Sequence, residues 1–480
     1  MIKILLVYHF PGNFSLMGLE PLGLIQLGRL LRDRGHAVRY VTLERAALAR
    51  ALREFQPQVI AYSIASVHHG RALRINRELK REHNFYAVFG GPHPTFFPEL
   101  IEEEGVDTIC VGEADLSFPE WADRFEAQAD FAQVPNFWVK TRAGEVVKNP
   151  PAPLVEDLDT LPFPDREGLY QNRGLRQYRM KSFIASRGCP FACTYCYNQL
   201  YRDLYRGRGR VWRTRSPEHL VGEIAWVKKN WPLAQLNMVD DVFVPSRSWL
   251  EKFVELYRSQ INLPFACILR LDRVDEDQAR LLAEAGCRVA LAAIESGSER
   301  VRREVMGRRM SNEQILQGCE HLHRHGIKIY TQNMLGVPGE TLEEALATVD
   351  LNLRARADLA ITSLFTPFPS LALTQRAIAE GYYSGDVREL PHNMTSRSVL
   401  NLPDKMKIEK LQKLLPALVD LPVLRRYVHW LLKLPLHPLY SSLRNAWMAV
   451  KIYRDLGFRP NFHEHLEILR RGIKYIVWDR

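Results

Sequence analysis

Ser186-Arg187-Gly188-Cys189-Pro190-Phe191-Ala192-Cys193-Thr194-Tyr195-Cys196-Tyr197-Asn198 places three of the chain's seven cysteines within eight residues. The other four, Cys110, Cys267, Cys287 and Cys319, are scattered. Scattered cysteines in a reducing compartment are usually small core hydrophobes, whereas a tight group is usually a metal site. The spacing here is C-x3-C-x2-C. A structural zinc site wants four closed ligands, commonly two CxxC pairs, and no second pair occurs in the sequence. Three thiolates on one loop suit a [4Fe–4S] cubane in which one iron lacks a protein ligand.

The stretch follows a strand candidate, Phe183 to Ser186, which heads a regular series. Further strands are expected at Leu236 to Val239, Ala266 to Arg270, Arg288 to Ile294, Lys328 to Leu335 and Leu359 to Phe365. Helix starts are marked by Ser216-Pro217-Glu218 and Ser311-Asn312-Glu313, and Gly286 and Gly326 close two helices. Six β/α units over residues 179–380 predict an open or partial (β/α)6 barrel, short of the eight that close one. Barrel chemistry lies at the C-terminal ends of the strands, where the cysteines stand.

Upstream, residues 1–125 alternate strand and helix patterns. Strands are read at Ile2 to Tyr8, Ala37 to Leu43, Val59 to Ser63, Ala87 to Phe89 and Thr108 to Val111, with helices such as Leu22 to Arg34 and Arg71 to Arg81. This order predicts a flavodoxin-like, doubly wound parallel sheet. Ligands of such sheets bind beyond the carboxyl ends of the strands, at the switch point. The loops there carry His9, Ser63, Gly90, Gly91, Gly112 and Glu113, and the glycines allow close backbone approach or serve as plain turns. Residues 126–178 contain Pro150-Pro151-Ala152-Pro153 and Leu161-Pro162-Phe163-Pro164, which reads as an extended connector. Residues 381–480 are mostly helical, broken at Pro422, Pro435 and Pro438, and carry no catalytic motif.

With 480 residues, 46% hydrophobic and 25% charged, the chain is ordinary globular material for two or three domains. No run of 18 uncharged apolar residues offers a spanning helix. The apolar run Met1 to Tyr8 breaks at Pro11-Gly12, suiting a first buried strand rather than a targeting segment, so a cytoplasmic protein is expected. Of the net charge of +10, residues 401–480 supply most, with 15 Lys+Arg against 7 Asp+Glu. This basic stretch, with Tyr427, Trp430, Tyr440, Trp447 and Tyr453, either meets an anionic membrane surface or acidic substrate, or caps the barrel with a solvated face. Nucleic-acid binding has no motif behind it.

The cysteine spacing with an aromatic residue before the third cysteine, here Tyr195, resembles the signature of the radical S-adenosylmethionine superfamily. The resemblance implies that the unligated iron binds the amino and carboxylate groups of S-adenosylmethionine, and that an injected electron yields a 5′-deoxyadenosyl radical. It also implies an adenine contact for Tyr195. Asn237-Met238-Val239-Asp240-Asp241 resembles the family's second strand, which ends in acids near the cofactor, here Asp240. Arg270 stands where relatives place a polar cofactor contact. Ile294-Glu295-Ser296-Gly297-Ser298 resembles the fourth-strand element at the ribose or methionine moiety, through Glu295 and Ser296, although the usual glycine two residues earlier is Ala293. Gly336-Val337-Pro338-Gly339-Glu340 resembles the fifth-strand turn near adenine.

A flavodoxin-like domain ahead of such a barrel is similar to the cobalamin-binding radical S-adenosylmethionine enzymes, over roughly residues 1 to 400. The resemblance implies a corrin between the two domains, with Ser63, Gly90, Gly91 and Gly112 along it and the Gly112-Glu113 loop beside it. Many cobalamin proteins carry D-x-H-x-x-G. His9 and Gly12 match its H-x-x-G, but Val7 stands in place of the acid, so cobalamin without a histidine on its lower face is expected. His68, His69 and His93 are further loop candidates. Methylthiotransferases of the superfamily need three more cysteines in the first domain, where only Cys110 lies.

Resemblance to this family implies a radical enzyme with a [4Fe–4S] cluster, S-adenosylmethionine and cobalamin, the last as methyl carrier for methylation of an unactivated carbon. The alternatives are a cobalamin-assisted cyclisation, rearrangement or oxidation without methyl transfer, and a non-catalytic cofactor-binding protein. A small-molecule or lipid-like substrate and an electron donor such as flavodoxin or ferredoxin are the expected partners.

Overall fold

Lys3–Tyr8 (β1) is an apolar run buried from Ile4 to Tyr8, and it pairs in parallel with Ala37–Thr42 (β2) and with Val59–Ser63 (β3). Tyr86–Gly90 (β4) and Thr108–Cys110 (β5) continue the parallel sheet. In the computed structural model, which describes residues 1–9, 20–141, 143–391, 393–455, 460 and 465, the sheet order is β2-β1-β3-β4-β5 followed by two more strands. The reversal of direction falls between β1 and β3, the expected switch point. Helices Arg45–Phe55 and His69–Lys80 bury Leu48, Leu52, Ile75 and Leu79 on one face. Helices Leu22–Asp33 and Ser117–Glu126 bury Ile25, Leu31, Phe118 and Trp121 on the other.

Residues 126–178 are not a connector throughout. Phe137–Lys140 (β6) and Val146–Lys148 (β7) form an antiparallel hairpin that extends the first sheet to seven strands. The run Phe137-Trp138-Val139 favours a strand, and Gly144 supplies the left-handed turn residue at φ +86°. The proline-rich part proper begins at Asn149, and its backbone is tied down where Leu154 N–H donates to the Arg208 carbonyl at 2.8 Å.

The second sheet begins at Met180–Phe183 (β8). The expected strand Phe183 to Ser186 is displaced, because the Ala185 N–H is taken by the Asp240 carboxylate. Ser186–Arg187 (β9) instead bridges antiparallel to Arg213–Thr214 (β10). Gln235–Met238 (β11), Phe265–Leu269 (β12), Cys287–Glu295 (β13), Lys328–Leu335 (β14) and Leu359–Leu364 (β15) then pair in parallel. The order β8-β11-β12-β13-β14-β15 is the six-stranded partial barrel. Ser216 caps its helix by accepting from His219 N–H, and Ser311 and Thr341 each form a capping box. The open edge at β15 is covered by helix Lys405–Asp420, which buries Ile408, Leu411, Leu415 and Leu418 in the same core as Leu364.

Candidate functional site

The cysteine loop leaves β9 through Gly188, whose φ is +78°. A Cβ there would stand 2.4 Å from the Val211 carbonyl oxygen, so no other residue fits the turn. The loop is then pinned from several sides. Thr194 N–H donates to the Met306 carbonyl at 3.0 Å and its hydroxyl to the Val305 carbonyl at 2.8 Å. Arg202 donates to the carbonyls of Pro190 and Phe191.

Two sulfurs have side-chain N–H donors. Asn198 Nδ2 lies 3.5 Å from Cys196 Sγ and donates to Asp241 at 3.1 Å. Arg308 Nη1 lies 4.0 Å from Cys193 Sγ. Burial pushes the Cys189 thiol up to about 11 and raises Cys196 too, so a thiolate here needs a positive partner such as iron. Among the described residues no three His, Cys, Asp or Glu side chains converge on a single ion, the triad included. Three cysteine sulfurs on one short loop are the donor chemistry that an iron–sulfur cluster takes. The donor set fits the cubane.

Tyr195 is partly buried, and its hydroxyl donates to Glu295 Oε1 at 2.9 Å. Glu295 itself sits at φ +66° on a register shift between β13 and β14. A non-glycine residue held there costs roughly 1–3 kcal/mol. Burial raises its carboxyl, partly offset by the nearby Arg308 guanidinium and the Tyr195 hydrogen bond. Gly336, at φ +75°, donates its N–H to Glu340 Oε2 at 2.5 Å.

Three expected contacts are placed differently. Asp240 is fully buried and its carboxylate accepts from Ala185 N–H and the Ser186 hydroxyl, so it locks β8 to β11. Its neighbour Asp241 is the acid that faces the cleft. Ser296 is also fully buried, and its hydroxyl accepts from Ser298 N–H within the turn. Arg270 stacks on the Phe191 ring at 3.8 Å and pairs with Asp272 at 2.7 Å. It lines a second cavity of about 650 Å³ beside Pro190 and Trp212, not the main cleft.

The main cleft, about 540 Å³, runs between the two sheets. Ser63, Gly90, Gly91, Gly112 and Glu113 line it from the first domain, and Arg187, Gly188, Asn198 and Asp241 line it beside the cysteines. Gly91 and Gly112 are left-handed, and a Cβ on Gly112 would meet the Tyr205 hydroxyl at 2.1 Å. Gly90 differs. A Cβ there would touch nothing closer than Cys110 Cβ at 3.8 Å, so its bareness serves the cleft and not the protein's own packing. A large planar ligand could approach that backbone closely.

Glu113 is occupied by the protein. Arg187 Nη1 donates to it at 2.9 Å, Arg213 Nη2 at 2.5 Å and the Tyr201 hydroxyl at 2.5 Å, while Arg187 also grips Asp115 at 2.7 Å. These bonds join the first domain to the segment that leads into the cysteines. The His9 ring packs on His68 at 3.7 Å, and His69 stacks on His93 at 4.3 Å. None of these four is among the described residues lining the cleft. Gly12, and most of the loop from His9 to Leu22, lie outside the described residues.

Sequence reading missed Arg308, singled out Asp240 rather than Asp241 from the acid pair, and gave Asn198 and Arg187 no role. Asn198 and Arg187 flank the triad, a signal that was present; Arg308 lies in a basic run with nothing local to mark it.

Comparison with known proteins agrees with this geometry. Residues 183–351 match the family model described as the radical SAM superfamily, and residues 17–122 match that of the B12 binding domain. An uncharacterized methyltransferase of Pyrococcus horikoshii is 26% identical over 383 residues, covering 75% of this chain and 78% of that one. A cytidylyl-2-hydroxyethylphosphonate methyltransferase of Streptomyces wedmorensis is 23% identical over 413 residues, covering 76% and 75%. The fold is similar to that of TsrM, a radical S-adenosylmethionine methyltransferase of Kitasatospora setae solved with cobalamin and a [4Fe–4S] cluster, at a TM-score of 0.67 and 18% identity over 98% of this chain and 99% of that one. Residues on either side of the cysteine triad and a glycine-lined switch point border one cleft, and each half matches its own family model; the chain belongs to the cobalamin-binding radical S-adenosylmethionine enzymes.

Proposed function

We propose that this enzyme methylates an unactivated carbon of a small-molecule or lipid-like substrate. The observation that carries the reading is the single cleft bounded by Gly90, Gly91 and Gly112 on one side and by Gly188, Asn198 and Asp241 on the other. It lets a corrin and the cysteine loop address the same substrate. When bound, the cluster supplies an electron to S-adenosylmethionine and cobalamin supplies a methyl group that a carbon radical can take.

The chain's own part is holding and excluding. Cys189, Cys193 and Cys196 hold the cluster, and Asn198 and Arg308 place N–H groups toward two of the sulfurs. Tyr195 and the Gly336 turn form the adenine side, with Glu295 fixing the Tyr195 ring through its hydroxyl. Ser63, Gly90, Gly91 and Gly112 border the corrin and its tail, and Glu113 fastens the first domain over them. Val7 in place of an orienting acid, and the packing of His9 on His68, support cobalamin without a protein histidine on its lower face. Reduction of the cluster calls for a donor of the flavodoxin or ferredoxin kind. No helix among the described residues is long and apolar enough to cross a membrane.

The test is holoenzyme prepared anaerobically with and without cobalamin, then given reductant and S-adenosylmethionine. S-adenosylhomocysteine that forms only in the cobalamin-loaded preparation supports methyl transfer. Equal 5′-deoxyadenosine from both, with no S-adenosylhomocysteine, sinks it in favour of radical chemistry without a methyl group.

A further inference from the structure

Helix His437–Arg454 seats Tyr440, Arg444 and Asn445 inward, against the helix Lys405–Asp420 that closes the barrel edge. Its outward face should then be polar. It is not. Leu439, Leu443, Ala446 and Val450 succeed one another at helical spacing and are exposed, Leu443 by 53% and Val450 by 67%. The turn and helix before it, Pro422–Tyr427 and Val428–Lys433, add Val423, Tyr427 and Trp430, which are 58%, 57% and 60% exposed.

Charge is segregated over the same stretch. From Leu421 to Arg454 the sequence contains six Lys and Arg and no Asp or Glu. Arg425 is spent on Asp350 and Arg444 is buried, but Arg426 and Lys433 are exposed beside Tyr427 and Trp430. An apolar strip edged by cations and interfacial aromatics, with acids excluded, is the chemistry that lies in the headgroup region of an anionic bilayer. A second copy of this chain is a poorer occupant, since a twofold contact through the same face would set cations against cations.

We propose that the segment Leu421–Val450 docks the enzyme on an anionic lipid surface, with Val423, Trp430, Leu439 and Leu443 entering the headgroup layer and Arg426 and Lys433 meeting lipid phosphates. The proposal stands apart from the reaction: it holds whatever carbon is methylated.

Flotation of the full-chain holoenzyme with vesicles tests it. The probes are phosphatidylcholine alone and phosphatidylcholine mixed with phosphatidylglycerol. Binding is expected to the mixed vesicles only, and to be lost in molar salt. Arg426→Gln with Lys433→Gln should weaken it by about fivefold per cation removed. The triple variant Trp430→Ser, Leu439→Ser, Leu443→Ser should abolish it while keeping the wild-type circular dichroism and cluster absorbance, because all three side chains are exposed. Wild-type protein that does not float, or a triple variant that floats undiminished, overturns the proposal. So does wild-type dimerisation in gel filtration that the triple variant loses, combined with no vesicle binding, which would assign the face to a second copy.

Discussion

Arg308 directs one guanidinium nitrogen to within 4.0 Å of Cys193 Sγ, while another donates to the Ala293 carbonyl at 2.6 Å. The side chain is buried, which works against its charge, and the acidic groups beside it, Glu295 and Cys193 among them, outweigh that and keep the guanidinium charged. A fixed cation beside a cluster thiolate favours the reduced, more negative state of the cluster. Arg308→Gln is therefore expected to lower the cluster's reduction potential by on the order of 100 mV, the size of one unit charge at an effective dielectric constant of about 20. Arg308→Lys should recover part of it. Redox titration followed by electron paramagnetic resonance reads both, with iron content as the control; unchanged potentials in Arg308→Gln would remove this role.

Gly188 and Gly112 invite a paired test. Alanine at either meets left-handed backbone and a steric clash, at 2.4 Å with the Val211 carbonyl for Gly188 and at 2.1 Å with the Tyr205 hydroxyl for Gly112. Backbone cannot yield as a tyrosine side chain can. Gly188→Ala is expected to lose most cluster iron while cobalamin still binds. Gly112→Ala should keep the iron and bind cobalamin at least tenfold more weakly. Iron assay and corrin absorbance after desalting distinguish the two, and a reversed pattern would undo the assignment.

How much the sequence disclosed depended on whether a signal was local. Lys328–Leu335 and Val59–Ser63 are found as read, because Gly326 before the first and Pro57-Gln58 before the second mark where each strand begins. The hairpin Phe137–Lys148 was hidden by the prolines after it, whose local stiffness outweighed a short aromatic strand signal. Of the adjacent acids Asp240 and Asp241, Asp241 lines the cleft and Asp240 does not. Both lie past the end of β11, and two adjacent acids carry no mark of which one enters the cleft. Arg308 reaches Cys193 only through the folding of a loop 115 residues downstream, and spacing alone cannot find such a partner.

Glu340 predicts a pH dependence. It is buried at the Gly336 turn, its Oε2 accepts from Gly336 N–H, and its Oε1 has no hydrogen-bond partner among the described residues. Burial pushes its carboxyl up to about 8. A carboxyl raised in the fold stabilises fully below its unfolded value near 4.5, and that stability is lost as pH rises toward 8. Glu340→Gln keeps the acceptor oxygen and cannot ionise. Its melting temperature relative to wild type should climb between about pH 5 and 8, with a slope of about 1.4 kcal/mol per pH unit at most, and level off above. Parallel curves for the two proteins would show that Glu340 titrates normally.

Glu113 puts the junction between the domains to the test. It is pinned by Arg187, Arg213 and Tyr201, and those guanidinium groups hold its carboxyl below the usual range against the opposing effect of burial. The Arg213 side chain is fully buried. Glu113→Ala would strand that cation without its carboxylate partner, a loss of roughly 3–5 kcal/mol for a buried pair. Glu113→Gln leaves an acceptor for one arginine and should cost less. The two arginines stand on the barrel side and Glu113 on the first domain, so the loss should also loosen the cleft. Retained cobalamin after gel filtration is therefore expected to fall with melting temperature in the order wild type, Glu113→Gln, Glu113→Ala. Stability that drops while cobalamin stays fully bound would mean that the latch supports the fold without shaping the corrin side of the cleft.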